Sequence, residues 1–156
     1  MKLTAFTDYS LRVLIYLAAC PERRATIARI CEAFDVKPNH LTKVVHHLAL
    51  RGWVATTRGK GGGLALARPP ESIRVGDVVR DAEGRAMLAE CFSAGGSDCA
   101  IVRCCRLQGV LAEAADAFHA VLDRYTLADL VRNADELAGI LVFAPLRDVR
   151  RPPSPG

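Results

Sequence analysis

The stretch Pro38-Asn39-His40-Leu41-Thr42-Lys43-Val44-Val45-His46-His47-Leu48-Ala49-Leu50-Arg51-Gly52-Trp53-Val54-Ala55-Thr56-Thr57-Arg58-Gly59-Lys60-Gly61-Gly62-Gly63-Leu64-Ala65-Leu66-Ala67 decides how this chain folds. In its first half Leu41, Val44, Val45 and Leu48 recur every three or four residues, which puts them on one face of a helix. Pro38 suits the first helical position, where its missing N–H forfeits no bond. Val36 and Leu41 stand at the two positions of a hydrophobic staple across that start. Gly52 supplies the left-handed residue on which helices commonly end. Two short strand-like runs follow, Trp53 to Thr57 and Leu64 to Ala67. Between them Arg58-Gly59-Lys60-Gly61-Gly62-Gly63 is glycine-rich enough to predict a hairpin loop.

Upstream, Thr26 is placed to cap a helix with Ile27, Ile30, Cys31 and Phe34 as its buried stripe, and Asp35-Val36-Lys37 makes a short turn. A first helix is expected to begin at Thr7 or Asp8 and run to about Ala19, with Leu11, Leu14, Ile15 and Ala18 on one face and Pro21 stopping it. Two helices joined by a tight turn and followed by a β-hairpin make a winged helix-turn-helix over residues 1–70, closed by Pro69-Pro70. The fold class is therefore mainly α with a small β-hairpin wing. The second helix of such a pair enters the major groove of double-stranded DNA. Its outward face offers Asn39, His40, Thr42, Lys43 and His47: amide and hydroxyl groups that bond base edges, and an ammonium that reaches a base or a phosphate. Arg58 and Lys60 at the hairpin tip suit a wing resting on the backbone or an arginine in the minor groove. A nucleotide-binding loop is the competing reading of the glycines. It fails on the missing Lys-Ser/Thr ending and on the strand-to-strand setting. A winged helix that binds protein instead is opposed by the basic tip.

Charge follows the same division. Residues 1–70 hold 11 Lys/Arg against 4 Asp/Glu, whereas residues 71–156 hold 10 against 13, so a basic half adjoins a mildly acidic one. The 156 residues suffice for one domain plus a dimerisation element. No run of about 18 apolar residues exists to span a membrane, and the N-terminus lacks the apolar stretch of a signal peptide. A cytoplasmic protein is expected.

Beyond the wing, residues 71–105 form the connecting segment, a brief helix over residues 75–83 and then a loop with four of the six cysteines. From Arg106 to about Arg124, Leu107, Val110, Leu111, Ala114, Ala115, Phe118, Val121 and Leu122 predict a long amphipathic helix, the dimerisation element of residues 106–146. Thr126 and Asp129 have the spacing of a capping box for a short last helix. Residues 147–156, with three prolines, read as a disordered tail.

Cys91, Cys99, Cys104 and Cys105 cluster in a segment of small residues able to wrap a cofactor. Reducing compartments disfavour structural disulfides, and thiolates are soft ligands suited to iron–sulfur clusters or zinc. Vicinal side chains diverge, so three ligands are expected rather than four, with Cys104 and Cys105 as alternatives for the third. Unligated thiols, a structural zinc or a regulatory disulfide are the other readings. Cys20 and Cys31 fall on helices and read as core. No constellation of His, Asp and Glu has the arrangement of an active site, and His119 reads as structural or surface-exposed, so an enzyme is not expected.

The segment Met1 to Arg12, the wing Arg58 to Gly63, the three-cysteine loop, Ile73 to Arg80, Cys105-Arg106-Leu107 and Tyr125 to Val131 together resemble the NsrR/IscR family of iron–sulfur transcriptional regulators, over roughly residues 1–132. Within it the resemblance is to the nitric-oxide-sensing repressors. It implies a homodimer on a palindromic operator, with a cluster, 4Fe–4S in preference to 2Fe–2S, held by Cys91, Cys99 and Cys105. Asp8 from the partner subunit is implied as fourth ligand, where the residue alone would read as a helix cap. Arg12, one turn on, is expected to pair with Asp8 or support the cluster. A same-family sensor of redox or iron–sulfur status with a 2Fe–2S cluster is the alternative.

Overall fold

The structure, a computed structural model, describes residues 3–20, 22, 24–59, 61–84 and 99–141. Helix α1 (Ala5–Ala19) is its axis. Thr4 caps it, the hydroxyl accepting from the Thr7 N–H at 3.2 Å. The helix thus begins earlier than Thr7 or Asp8, and Asp8 lies within its first turn rather than at its cap. The reason is long-range. The Thr4 N–H and hydroxyl both donate to Glu83 Oε1, at 2.7 and 3.1 Å, and this fixes the residue in capping position. Val13, Leu14, Tyr16 and Leu17 are buried at the centre of the core, and most of the later helices pack on α1.

Helix α2 (Ile27–Phe34) carries the Thr26 cap as expected, and Asp35 ends it in the left-handed region at φ 50°. Helix α3 (Pro38–Leu50) starts on Pro38, with Leu41, Val44, Val45 and Leu48 buried and both staple residues, Val36 and Leu41, in the core. It ends in a Schellman motif: Trp53 N–H donates to Leu48 O, Gly52 N–H donates to Ala49 O, and Gly52 takes φ +70°.

Strands β1 (Val54–Thr57) and β2 (Gly63–Leu66) pair antiparallel in the register Val54↔Leu66 to Thr57↔Gly63. An isolated bridge between Ala25 and Leu64 adds a pairing on the other edge of β2, with N–H to carbonyl distances of 3.0 and 2.7 Å. It ties the wing to the entrance of α2.

A 3-10 turn (Pro70–Ser72) leads to α4 (Val75–Glu83). The long helix α5 (Arg106–Leu122) follows, then α6 (Leu127–Leu130) and α7 (Ala134–Leu141). Both halves of the Thr126/Asp129 capping box are present. Residues 73–75 and 125–127 pair as a short bridge, which brackets α4 against α6. Arg80 donates to both Asp123 carboxylate oxygens, at 3.1 and 2.7 Å, and to Asp77, locking the end of α5 to α4. No described helix is long and apolar enough to cross a membrane. The expected tail, 147–156, lies outside the described residues.

Candidate nucleic-acid interface and cluster-binding residues

With its apolar row turned into the core, α3 presents Asn39, His40, Thr42 and Lys43 to solvent, and His46 with them. The Thr42 hydroxyl donates to the Pro38 carbonyl at 2.9 Å, which leaves the exposed oxygen its acceptor capacity. His47 does not belong to this outward row. It is half-buried, its ring meets Phe6 of α1 edge-on at 5.2 Å and 81°, and its Nε2 is buried without a hydrogen-bond partner. Three residues after Val44, it falls one turn along the inward face. His40 is exposed yet stacked on Tyr9 of α1, with ring centres 6.2 Å apart and planes 25° apart.

The wing tip is backbone-built. Gly62 N–H donates to the Gly59 carbonyl at 2.9 Å. Arg58 is exposed at the tip, and Lys60 lies outside the described residues. The wing base is clamped by Trp53. Its Nε1–H donates to Asp81 of α4 at 2.8 Å, and the Arg68 guanidinium covers its ring at 4.7 Å. Sequence reasoning missed Arg24, which is exposed and donates from Nη1 to the Gly61 carbonyl at 3.0 Å. The Ala25–Leu64 bridge carries it there and sets a second arginine beside the wing. The only sequence signal was a basic pair just ahead of the Thr26 cap.

On the opposite face of α1, Asp8 and Arg12 are half-exposed and joined by an ion pair, Arg12 Nη2 to Asp8 Oδ2 at 2.9 Å. Arg12 also lies 5.7 Å from the centre of the Phe34 ring. The ion pair engages Oδ2 of a carboxylate that is itself half-exposed.

Cys99 and Cys104 are exposed, and Cys105 is half-buried as the N-cap residue of α5. Between them the chain makes two tight turns, Val102 N–H to Cys99 O and Cys104 N–H to Ile101 O, each 3.0 Å. Cys91 lies outside the described residues. Cys105 opens a 17-residue helix. These accessible sulfurs and one outward carboxylate are a donor set that suits an iron–sulfur cluster. Among the described residues no three His, Cys, Asp or Glu side chains gather in one chain, so Asp8 and the cysteines do not form one group within it. Cys20 and Cys31 are buried in the core as expected, and burial pushes the Cys31 thiol up, away from reactivity.

Helix α5 has no buried residue. Leu107 and Val110 are each 60% exposed, and the apolar row runs on to Val121. Arg80 holds the Asp123 carboxyl, just past the end of this helix, below the usual carboxylate range, against the opposing effect of desolvation.

A family model described as Rrf2, iron-dependent transcriptional regulator, matches residues 3–133. A Bacillus subtilis protein named HTH-type transcriptional regulator NsrR is 48% identical over 142 residues, covering 90% of this chain and 97% of the relative. A protein of the same name from Shouchella clausii is 43% identical over 144 residues, covering 92% and 97%. Among solved structures, CymR, described as the global cysteine regulator of B. subtilis, superposes with a TM-score of 0.68 at 27% identity, covering 85% of this chain and 98% of that one.

Proposed function

The chain belongs to the Rrf2 family of transcriptional regulators, and from that premise we propose that it is a cytoplasmic repressor whose hold on a palindromic operator is set by a nitric-oxide-sensing iron–sulfur cluster. It regulates transcription and is not an enzyme. The observation that carries the sensing reading is α5: its N-cap is Cys105, and Leu107, Val110 and Val121 of its apolar row stay exposed among the described residues. An apolar stripe of that length calls for a second helix against it. The element that begins with a cluster ligand is then also the element that joins two copies.

In this reading α3 lies in the major groove, with Asn39, His40, Thr42 and Lys43 toward the bases and phosphates, and Arg58 and Lys60 bring the wing to the backbone. Cys91, Cys99 and Cys105 of one copy, with Asp8 from the other, hold a 4Fe–4S cluster in preference to a 2Fe–2S one; Cys104 is a neighbouring thiol. When bound, such a cluster offers iron sites with which nitric oxide reacts. Arg12 keeps Asp8 aimed outward, away from its own core. A carboxylate engaged by the other copy ties the two α1 helices to the two cysteine segments. That sets the recognition helices at the spacing of successive major grooves, about 34 Å. Once Asp8 is released, the ion pair with Arg12 is all that holds it, and the spacing relaxes.

The test is anaerobic reconstitution with absorbance spectra and iron and sulfide assays, then nitric oxide titration while operator binding is followed. About four irons per chain and binding lost with added nitric oxide are expected. An iron-free protein that holds its operator tightly and ignores nitric oxide overturns the reading. Two irons per chain overturn the cluster type alone.

A further inference from the structure

Two rings of α1 grip the recognition helix. Phe6 meets His47 edge-on at 5.2 Å, and Tyr9 stacks on His40 at 6.2 Å. We infer that His47 and His40 are positioning residues through which α1 sets the tilt of α3, so that the Asp8-bearing helix and the DNA-reading helix move as one lever. This rests on the reading of Asp8 and α3 given above.

The placement on α1 is the first support. Phe6 and Tyr9 are three residues apart and share the face toward α3. Asp8 lies between them in sequence but on the other side, where it pairs with Arg12. One turn of helix therefore has the candidate ligand on its outer face and both ring contacts on its inner face.

The placement on α3 is the second. His40 and His47 are seven residues apart, about 10.5 Å along the axis. The buried row of Leu41, Val44, Val45 and Leu48 anchors α3 in the core, and two ring contacts two turns apart add a direct hold by α1 on its angle. If the start of α1 shifts by about 1 Å at one contact and not at the other, α3 tilts by about 5° over that span.

The chemistry of His47 is the third. Its Nε2 is buried with no hydrogen-bond partner. A leucine would fill a similar space without a dry nitrogen, so packing alone does not explain an imidazole there. An edge-on ring pair is directional where an aliphatic pair is not, and direction is what aiming a helix requires. His40 adds the complementary feature. It is exposed on the DNA side while Tyr9 supports its ring from behind.

The experiment compares operator affinity of the cluster-loaded and cluster-free dimer for wild type, Phe6→Leu, His47→Leu, Tyr9→Ala and Tyr9→Phe, with the thermal midpoint and cluster absorbance as controls. Phe6→Leu, His47→Leu and Tyr9→Ala are expected to keep the cluster absorbance while the loaded-to-free affinity ratio shrinks at least threefold. Tyr9→Phe, which keeps the stacking ring, retains the wild-type ratio. A purely structural role would lower the midpoint and both affinities together and leave the ratio alone. Should His47→Leu fail to fold, Tyr9→Ala at the more open contact decides. A wild-type ratio preserved within twofold in both Phe6→Leu and Tyr9→Ala overturns the lever and leaves the cluster reading intact. A wild-type protein whose two forms bind the operator equally overturns both.

Discussion

Replacing Gly62 by alanine adds one methyl group to a hairpin that has no room for it. The new Cβ would lie 2.3 Å from the Thr57 carbonyl oxygen, 2.8 Å from that of Gly59 and 3.0 Å from the Arg58 carbonyl carbon. All three are backbone atoms, so no side chain can swing aside. Restoring ordinary contact, which begins at 3.4 Å, requires the Thr57 carbonyl to retreat by about 1 Å. Overpacking of this kind costs about 1–3 kcal/mol where the structure must absorb it. Here the tip is exposed and the core in α1 to α3 is untouched, so the strain is relieved by opening the Thr57–Gly63 end of the ladder. The stability cost should stay near 1 kcal/mol, a fall in thermal midpoint of about 2–4 °C for a chain of this size. The binding cost is larger. Opening the tip moves Arg58, and a dimer of the kind proposed has two wings. Each lost phosphate contact lowers the slope of log affinity against log salt by roughly 1, so the slope should fall by about 2 and affinity by about tenfold at moderate salt. Fluorescence anisotropy on an operator duplex, between about 50 and 200 mM salt, reads both quantities. A Gly62→Ala protein with the wild-type slope and affinity would refute the claim that a wing of this geometry touches DNA.

Three further predictions follow from the helices. Val110→Asp puts a charge in the exposed apolar row of α5 and should convert the proposed dimer to monomers in sedimentation while the chain keeps its helical circular dichroism. Gly109 lies on the opposite, polar face of α5, and a Cβ there meets nothing within 4 Å. Gly109→Ala should therefore stabilise the protein by about 0.8–1 kcal/mol in thermal or urea unfolding, since glycine is that much the poorer helix former. The third concerns acid. Because Arg80 lowers the Asp123 carboxyl, its stabilisation is complete above the ordinary aspartate value of about 4 and is lost as pH falls through the lowered one. Asp123→Asn should flatten the acid limb of thermal midpoint against pH, whereas an unchanged limb would show that the bridge does not couple α4 to α5.

Features specified by neighbouring residues were legible in the sequence. The Thr26 cap, Pro38 at the head of α3, the Gly52 terminus, the glycine hairpin and the Thr126/Asp129 box all act within a few residues of themselves, and each stands where its local chemistry puts it. Features set by distant partners were not. Thr4, Thr7 and Asp8 are all competent caps, and Glu83, far along the chain, decides among them. His47 sits at the border of two helix faces, and Phe6 draws it inward. Arg24 reaches the wing only because strand β2 bridges to Ala25. The cysteine segment was recognisable from its residue types and the family resemblance. A ligand set divided between two copies, as proposed, would leave no periodicity in either, so the part assigned to Asp8 came from resemblance rather than spacing.

The clamp at the base of the wing bears on how such a protein changes over generations. Trp53 is pinned to Asp81 beneath Arg68, and Leu64 to Ala25, so the mount that aims the reading surfaces is built from residues that do not face the DNA side of α3. Asn39, His46 and Lys43, by contrast, are exposed and carry no part of the core. Exchanges among them are nearly free of folding cost. The exposed residues of α3 can thus change one at a time without disturbing the mount beneath them.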